Sequence, residues 1–313
     1  MKIVRRTLRV TMVLFLVLNA MTAFHAYKFT HFYDDQSLQR IKPEQMSFGD
    51  KASALIFGVK YPKSVNAEKP AVPYETVHLY TRDSLKIEGW HIVRDSAKGT
   101  VILFHGHGSS KSRILPEAMY FYSLGYNTLL MDFRAHGGSD GNTTTIGYKE
   151  AEEVNLAYEY IRGNEKNIIL WGISLGASTI TKAVNDFNIK PEKIILEMPF
   201  GSLHEAVKGR VRVMGLPAQP ISSLLTFWGG LEQGFWAFDH NPCEYATKIN
   251  CEVLLQWGRN DARVTEAEEQ CIYQAIPSSK KKLVVYEESG HISLLKNEPE
   301  KWKEQVRLFL SPS

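Results

Sequence analysis

Cysteine is scarce in this chain, and so is an excess of charge of either sign. Cys243, Cys251 and Cys271 are the only cysteines among 313 residues, with no CxxC pair and no metal-like spacing. That excludes a disulfide-built miniature scaffold and a structural zinc knuckle. The odd count leaves at least one thiol outside any internal disulfide. Cys243 and Cys251 are the pair open to bonding in an oxidising compartment, and burial as small apolar residues is the plainer role for all three. The formal charge is +3, but five basic residues (Lys2, Arg5, Arg6, Arg9 and Lys28) precede the first acid, Asp34; removing them from 37 Lys and Arg leaves 32 against 34 Asp and Glu. A near-neutral body has no basic face for nucleic acid. Internal repeats and low-complexity tracts are absent as well, which excludes a solenoid.

Long apolar runs are missing too, with one exception. Residues 1–33 have a basic start followed by LRVTMVLFLVLNAMTAF over 8–24, without acid or proline. Those 17 residues lie at the short end of a bilayer span, and Thr11, Asn19 and Thr22 dilute them. No small-x-small cleavage site follows, so residues 1–33 read as an uncleaved single-pass anchor, with a cleaved export signal as the alternative. Basic residues on the outer flank of the run keep that end in the cytoplasm and put the body outside it, extracytoplasmic or, after cleavage, periplasmic or secreted. Arg5-Arg6 fits a twin-arginine signal only loosely.

Residues 34–73 contain prolines at 43, 62, 70 and 73 and weak periodicity, and read as a tether. A single catalytic-sized domain then occupies 74–313. Eight apolar runs recur through it, at 77–81, 86–93, 101–106, 127–133, 167–172, 193–200, 252–258 and 282–288. From the third onward they are nearly continuously apolar, as parallel strands covered on both faces must be. Helical patterns at 115–125 and 147–163 fill gaps between them, so the fold class is α/β, an eight-stranded mostly parallel sheet with helices on both faces. The interval 201–250 is too long for a crossover and predicts a small helical cap, rich in aromatic residues and broken by Pro217, Pro220, Gly229, Gly230 and Gly234.

In NIILWGISLGAST, Ser174 stands in a GxSxG motif between a strand and a helix. The motif alone arises by chance in about one such chain in ten. A strand-to-helix turn gives it meaning, because the turn exposes the hydroxyl and puts helix N–H groups beside it. A serine hydroxyl needs a histidine to take its proton and a carboxylate to orient that histidine. Asp261 just past the seventh strand and His291 just past the eighth supply both, on the sheet edge that presents Ser174. Glu197, at the end of the sixth strand, is the alternative acid.

From about residue 77 to 310 the chain resembles the α/β-hydrolase superfamily, through HGHG (105–108), DFRAHGGSDG (132–141), GISLG (172–176), WGRNDARV (257–264) and SGH (289–291), in that family's order. The capped serine-aminopeptidase-like and prolyl-oligopeptidase-like branch is the best match. The resemblance implies nucleophile Ser174, acid Asp261 and base His291, with oxyanion donors from the backbone N–H groups of Leu175 and His107. HGHG departs from the HGGG of lipase-type esterases. His105 and His107 lack the neighbours of a metal ligand set, so no metal or other cofactor is expected. Asp132, Arg134 and Asp140 are open to substrate contact, with turn formation and loop packing as their commoner roles. In the cap, Phe227, Trp228 and Trp236 are candidates to line an apolar acyl pocket, with cap core as their commoner role.

The expectation is a serine hydrolase acting on carboxylic esters or thioesters of fairly apolar, small-molecule acyl substrates. A peptidase or amidase and a membrane lipid hydrolase are the alternatives with the same triad, and a non-catalytic binding module is the alternative of a different class. Nothing in the sequence bears on oligomeric state.

Overall fold

A computed structural model describes residues 2–311 except 36, 39–45 and 166. The chain opens with α1 (Lys2–Thr30) and pairs two short parallel strands, β1 (Phe32–Tyr33) and β2 (Tyr61–Pro62), around α2 (Phe48–Phe57). The helix α2 departs from the irregular tether expected there; residues 36 and 39–45 of that tether lie outside the described residues. The local reason for α2 is a capping box, in which the Ser47 hydroxyl accepts from the Asp50 N–H and the Asp50 carboxylate accepts from the Ser47 N–H.

Eight strands then build one sheet: β3 (Glu75–Tyr80), β4 (Lys86–Ile92), β5 (Thr100–Phe104), β6 (Asn127–Met131), β7 (Ile168–Ile173), β8 (Lys193–Glu197), β9 (Glu252–Gly258) and β10 (Lys281–Tyr286). Their order is β10-β9-β8-β7-β5-β6-β4-β3, parallel throughout except for β4 and β3 at one edge. Strands β5 to β9 are apolar on both faces because both faces are covered. On one face, Ile102, Phe104 and Leu170 pack with α4 (Ala151–Arg162) and α5 (Leu175–Phe187). On the other, Leu103, Ile169 and Trp171 pack with α3 (Leu115–Ser123) and the last helix of the chain, which carries fully buried Trp302. Each such large side chain contributes about 1.5–3 kcal/mol by leaving water.

Between β8 and β9 the chain leaves the sheet for α6 (Leu203–Val213), α7 (Ile221–Gln233) and the single turn α8 (Pro242–Tyr245). The hydroxyl of Ser202 caps α6 by accepting from the Glu205 N–H. Gly234, at φ 75°, ends α7 in the left-handed conformation. After β9 come α9 (Glu266–Ala275), then β10, α10 (Leu294–Asn297) and α11 (Pro299–Leu310).

The disulfide joins Cys243 to Cys271, 28 residues apart, and not Cys243 to Cys251. Cys243 sits on α8 and faces Cys271 on α9, with Cα atoms 5.8 Å apart. Cys251 is partly buried just before β9, and burial pushes its thiol up to about 12.

The helix α1 has two halves of different character. Its large apolar side chains from Ile3 to Val17 are 51% to 82% exposed. Farther along, Thr22, Ala26 and Thr30 are buried against the body. The two helices α1 and α7 lie against each other, with Trp228 Nε1 donating to Asn19 Oδ1 (3.2 Å) and Gln233 Nε2 donating to Thr30 Oγ1 (3.1 Å). By length and composition α1 is able to cross a bilayer.

Candidate active site

The neighbouring strands β5 and β7 end side by side, with Phe104 opposite Gly172. The chain then turns sharply from β7 into α5, and the turn residue is Ser174, at φ 54° and ψ −113°. A non-glycine residue holds such a conformation only when its surroundings fix it. Here the Ser174 N–H donates to the Glu197 carbonyl (2.7 Å) and its carbonyl accepts from the Ser178 N–H. Gly176 permits the close crossing of α5 over β5, since a Cβ there would lie 2.3 Å from the Phe104 carbonyl oxygen.

Two loops from the neighbouring strand ends reach this serine. Their backbones are stitched together by Arg259 N–H to Tyr286 O (2.8 Å) and Asn260 N–H to Ser289 O (2.9 Å). Asp261 Oδ1 accepts from the N–H groups of Arg263 (2.7 Å) and Val264 (2.9 Å), leaving Oδ2 for His291 Nδ1 at 2.6 Å. With Nδ1–H donating to Asp261, His291 Nε2 is left as an acceptor, 2.9 Å from Ser174 Oγ. The Asp261 side chain is fully buried and that of His291 is 12% exposed. Hydroxyl, imidazole and carboxylate thus form one relay that can draw the proton from Ser174.

Leu175 and His107, the expected oxyanion donors, both line the cavity of about 470 Å³ in front of Ser174. The loop after β5 that carries His107 is pinned by two histidines, His105 of the HxH pair and His136, which sequence reasoning passed over. His136 Nε2 accepts from the Gly108 N–H (2.8 Å) and His105 Nε2 accepts from the Phe133 N–H (3.1 Å). Both are buried and serve the backbone; the signal for His136 was position, inside loops that meet at the end of β5 and β6. Asp132 is structural too. It binds buried Lys111 and accepts from the Gly138 N–H (2.8 Å).

The aromatic cap residues are not brought to Ser174. Phe227, Trp228 and Trp236 are absent from the walls of its cavity, and Phe227 and Trp236 are solvent-exposed. The buried face of α7 carries small and polar residues, Ser222, Thr226 and Gly230, which turns the aromatic side chains outward and toward α1. The apolar wall beside Ser174 comes instead from Phe29 of α1, Ile146, and Leu203 and Val207 of α6.

Glu197 is not within the relay. Its Oε1 accepts from Trp171 Nε1 (2.9 Å), Trp302 Nε1 (2.5 Å) and Gln256 Nε2 (3.3 Å). Burial, with Glu117 adding to it, pushes this carboxyl up to about 8 against the two indole donors. The folded state therefore holds a proton that the unfolded chain releases above the ordinary value of 4.5, so stability falls as pH rises from about 4.5 to about 8. Glu197→Gln keeps the accepting oxygen and has no proton to lose. Its stability relative to the native chain is expected to climb by on the order of 3 kcal/mol across that window. Denaturant titrations at several pH values read this, and parallel curves for the two proteins would contradict it.

Beside the relay, Glu269 is fully buried, and burial, then the charges of Asp261 and Glu268, hold it protonated well above the usual carboxylate range.

The order of these strands, the serine turn and the two loops invite comparison with known proteins. The sequence model of the serine aminopeptidase S33 family matches residues 95–230. The esterase Pf2001 of Pyrococcus furiosus superposes with a TM-score of 0.68 at 26% identity, covering 80% of this chain and 96% of that one. The chain belongs to the α/β-hydrolase superfamily. The uncharacterized protein YqkD of Bacillus subtilis is 26% identical over 229 residues, 72% of this α/β-hydrolase and 75% of that protein. The lysophosphatidylserine lipase ABHD12 of Danio rerio is 26% identical over 178 residues, 52% of this chain and 44% of the relative, so less than half of that lipase is matched.

Proposed function

We propose that this α/β-hydrolase is a serine esterase, cleaving carboxylic esters or thioesters of apolar acyl groups through Ser174, His291 and Asp261. The observation that carries the reading is the relay of 2.9 Å and 2.6 Å contacts ending on Ser174 Oγ. Ser174 Oγ attacks the acyl carbon as His291 Nε2 takes its proton. The N–H groups of Leu175 and His107 receive the oxyanion, each contributing about 2.7–4 kcal/mol to the transition state. His291 returns the proton to the leaving oxygen or sulfur, and water, deprotonated by the same imidazole, releases the acid.

Ester over peptide substrates is supported by the lining of the cleft on the open side of Ser174, of about 1730 Å³. Among the described residues lining it, Glu117 is the single carboxylate; it is buried, accepts from Ser293 Oγ (2.6 Å), and burial raises its pKa. An aminopeptidase needs an ionised carboxylate for a free amine. A series of p-nitrophenyl esters run beside aminoacyl p-nitroanilides tests the reading. Ester turnover with inert anilides is expected, and the reverse would overturn it.

The membrane lipid hydrolase is the second reading, favoured by α1. In it α1 is a retained anchor with the domain extracytoplasmic, which the Cys243–Cys271 disulfide supports. Docking of Asn19, Thr22, Ala26 and Thr30 onto the body supports retention. N-terminal sequencing of the membrane fraction is expected to begin at the initiator end; a start beyond Ala20 would replace the anchor with a cleaved signal.

A further inference from the structure

Three cavities meet at Phe29. The first is the cavity of Ser174. The second, about 540 Å³, lies among α1, α6 and α7, where Ala26, Leu225, Gly229 and Phe235 line it, and it shares Phe29, Ile146, Leu203 and Val207 with the first. The third, about 960 Å³, lies among α1, α2 and α6 and starts at Leu18 and Met21. It shares Phe29 and Arg210 with both others. Neighbouring cavities are thus lined in part by the same side chains. The ring of Phe29 is the central partition, stacked on His107 at 4.8 Å with the Arg210 guanidinium 5.2 Å from its centre.

The far mouth of this series opens where the bare turns of α1 stop. Val17 is the last large apolar residue of the exposed run, and Leu18 is the first cavity residue. Exposed apolar side chains stand on the elements packed beside α1, Phe48, Ile56 and Phe57 on α2 and Leu231 on α7, with Trp236 just after it. The contact of His25 Nε2 with the Leu55 carbonyl (2.8 Å) holds α2 against α1. A patch of this kind beside a bilayer-length helix suits the membrane interface.

We infer that these cavities form one acyl-chain channel, walled by α1 itself, along which the chain of a single-chain lipid ester passes from the bilayer to Ser174, with Phe29 as its gate. The inference rests on the serine-esterase reading and adds the substrate class and its route. From Leu18 to Phe29 the helix rises about 16 Å, which suits a long acyl chain. A chain moving along this wall stays among mostly apolar groups, with Arg210 the charged side chain common to all three cavities, whereas each methylene drawn through water lowers the population of the route about fourfold. The ester carbonyl then stops at the boundary between the apolar cavity and the more polar cleft, whose lining includes Lys63, Arg113 and Arg263, with the headgroup in the cleft. One apolar channel accepts one chain.

The test uses the full chain reconstituted in phosphatidylcholine vesicles, with p-nitrophenyl butyrate supplied in solution and p-nitrophenyl palmitate in the bilayer. The readout is the ratio of kcat/KM for palmitate over butyrate. Gly229→Leu fills the second cavity, and the nearest atom to its new Cβ, that of Ala26, is 3.9 Å away. Met21→Trp fills the mouth at a partly exposed site. Each is expected to lower the ratio at least tenfold, and Phe29→Ala, which opens the gate, to raise it at least threefold. If Gly229→Leu does not fold, Met21→Trp and Phe29→Ala read the same ratio. Ratios within twofold of the native chain in every folded variant, with both esters turned over, overturn the channel alone. A native chain inert toward both esters overturns the esterase reading, and the channel with it.

Discussion

Ser174→Ala is expected to lower kcat/KM for an ester substrate by roughly four to six orders of magnitude, and to abolish labelling by a fluorophosphonate probe. The size follows from what the hydroxyl does. Ser174 Oγ is the atom to which the acyl group would bond, and His291 and Asp261 are arranged around that one oxygen at 2.9 Å and 2.6 Å. Without it the imidazole has no proton to take, and the residual rate comes from water and oxyanion donors alone. Stability should change little, because the turn is held by backbone contacts to Glu197 and Ser178. Labelling at native levels in this variant would show that another residue is the nucleophile.

Gly176→Ala is expected to cost more than about 4 kcal/mol, enough to deplete folded protein. A Cβ at this position would stand 2.3 Å from the carbonyl oxygen of Phe104, 2.7 Å from its carbonyl carbon and 3.0 Å from the carbonyl oxygen of His105. Those are backbone atoms at the end of β5, a strand paired with β6 on one side and β7 on the other, so no rotamer change relieves the overlap. Gly163→Ala makes the contrast. Gly163 has helical φ of −58° and nothing within 4 Å of a built Cβ, so alanine there is expected to be neutral or to stabilise by up to about 1 kcal/mol. Chemical denaturation of both variants decides it. A native unfolding midpoint for Gly176→Ala would mean that α5 and β5 are not packed this closely.

The strands were legible because a covered parallel sheet demands apolar residues on both faces, and the runs at 101–106 and 167–172 satisfy that within a few residues of their observed ends. Ser174, Asp261 and His291 were legible as candidates for a related reason, since the ends of successive parallel strands share one edge. Strand order is invisible to periodicity, because the return of β6 between β5 and β4 changes which strands are neighbours without changing the apolar pattern of any of them. Cys271 was missed as the partner of Cys243 because the choice depends on how α8 and α9 face each other, and Cys251 is nearer only along the chain. The cap aromatics misled for a physical reason as well. Large side chains suggest a pocket, yet α7 packs inward through Ser222, Thr226 and Gly230, the small residues that let helices approach.

From Lys2 to Thr30, α1 is one uninterrupted helix, and no flexible segment separates its bare turns from Phe29 in the wall of the Ser174 cavity. A domain on a flexible tether samples many orientations above its attachment point; on the anchored reading proposed above, this one would tilt and turn only together with α1. Each residue added to the bare half would rotate the body by about 100° and raise it by about 1.5 Å. With α1 retained in a bilayer, as proposed, the length of that half would act as a mechanical gauge, setting which side of the domain meets the lipid surface and how far the serine stands from it.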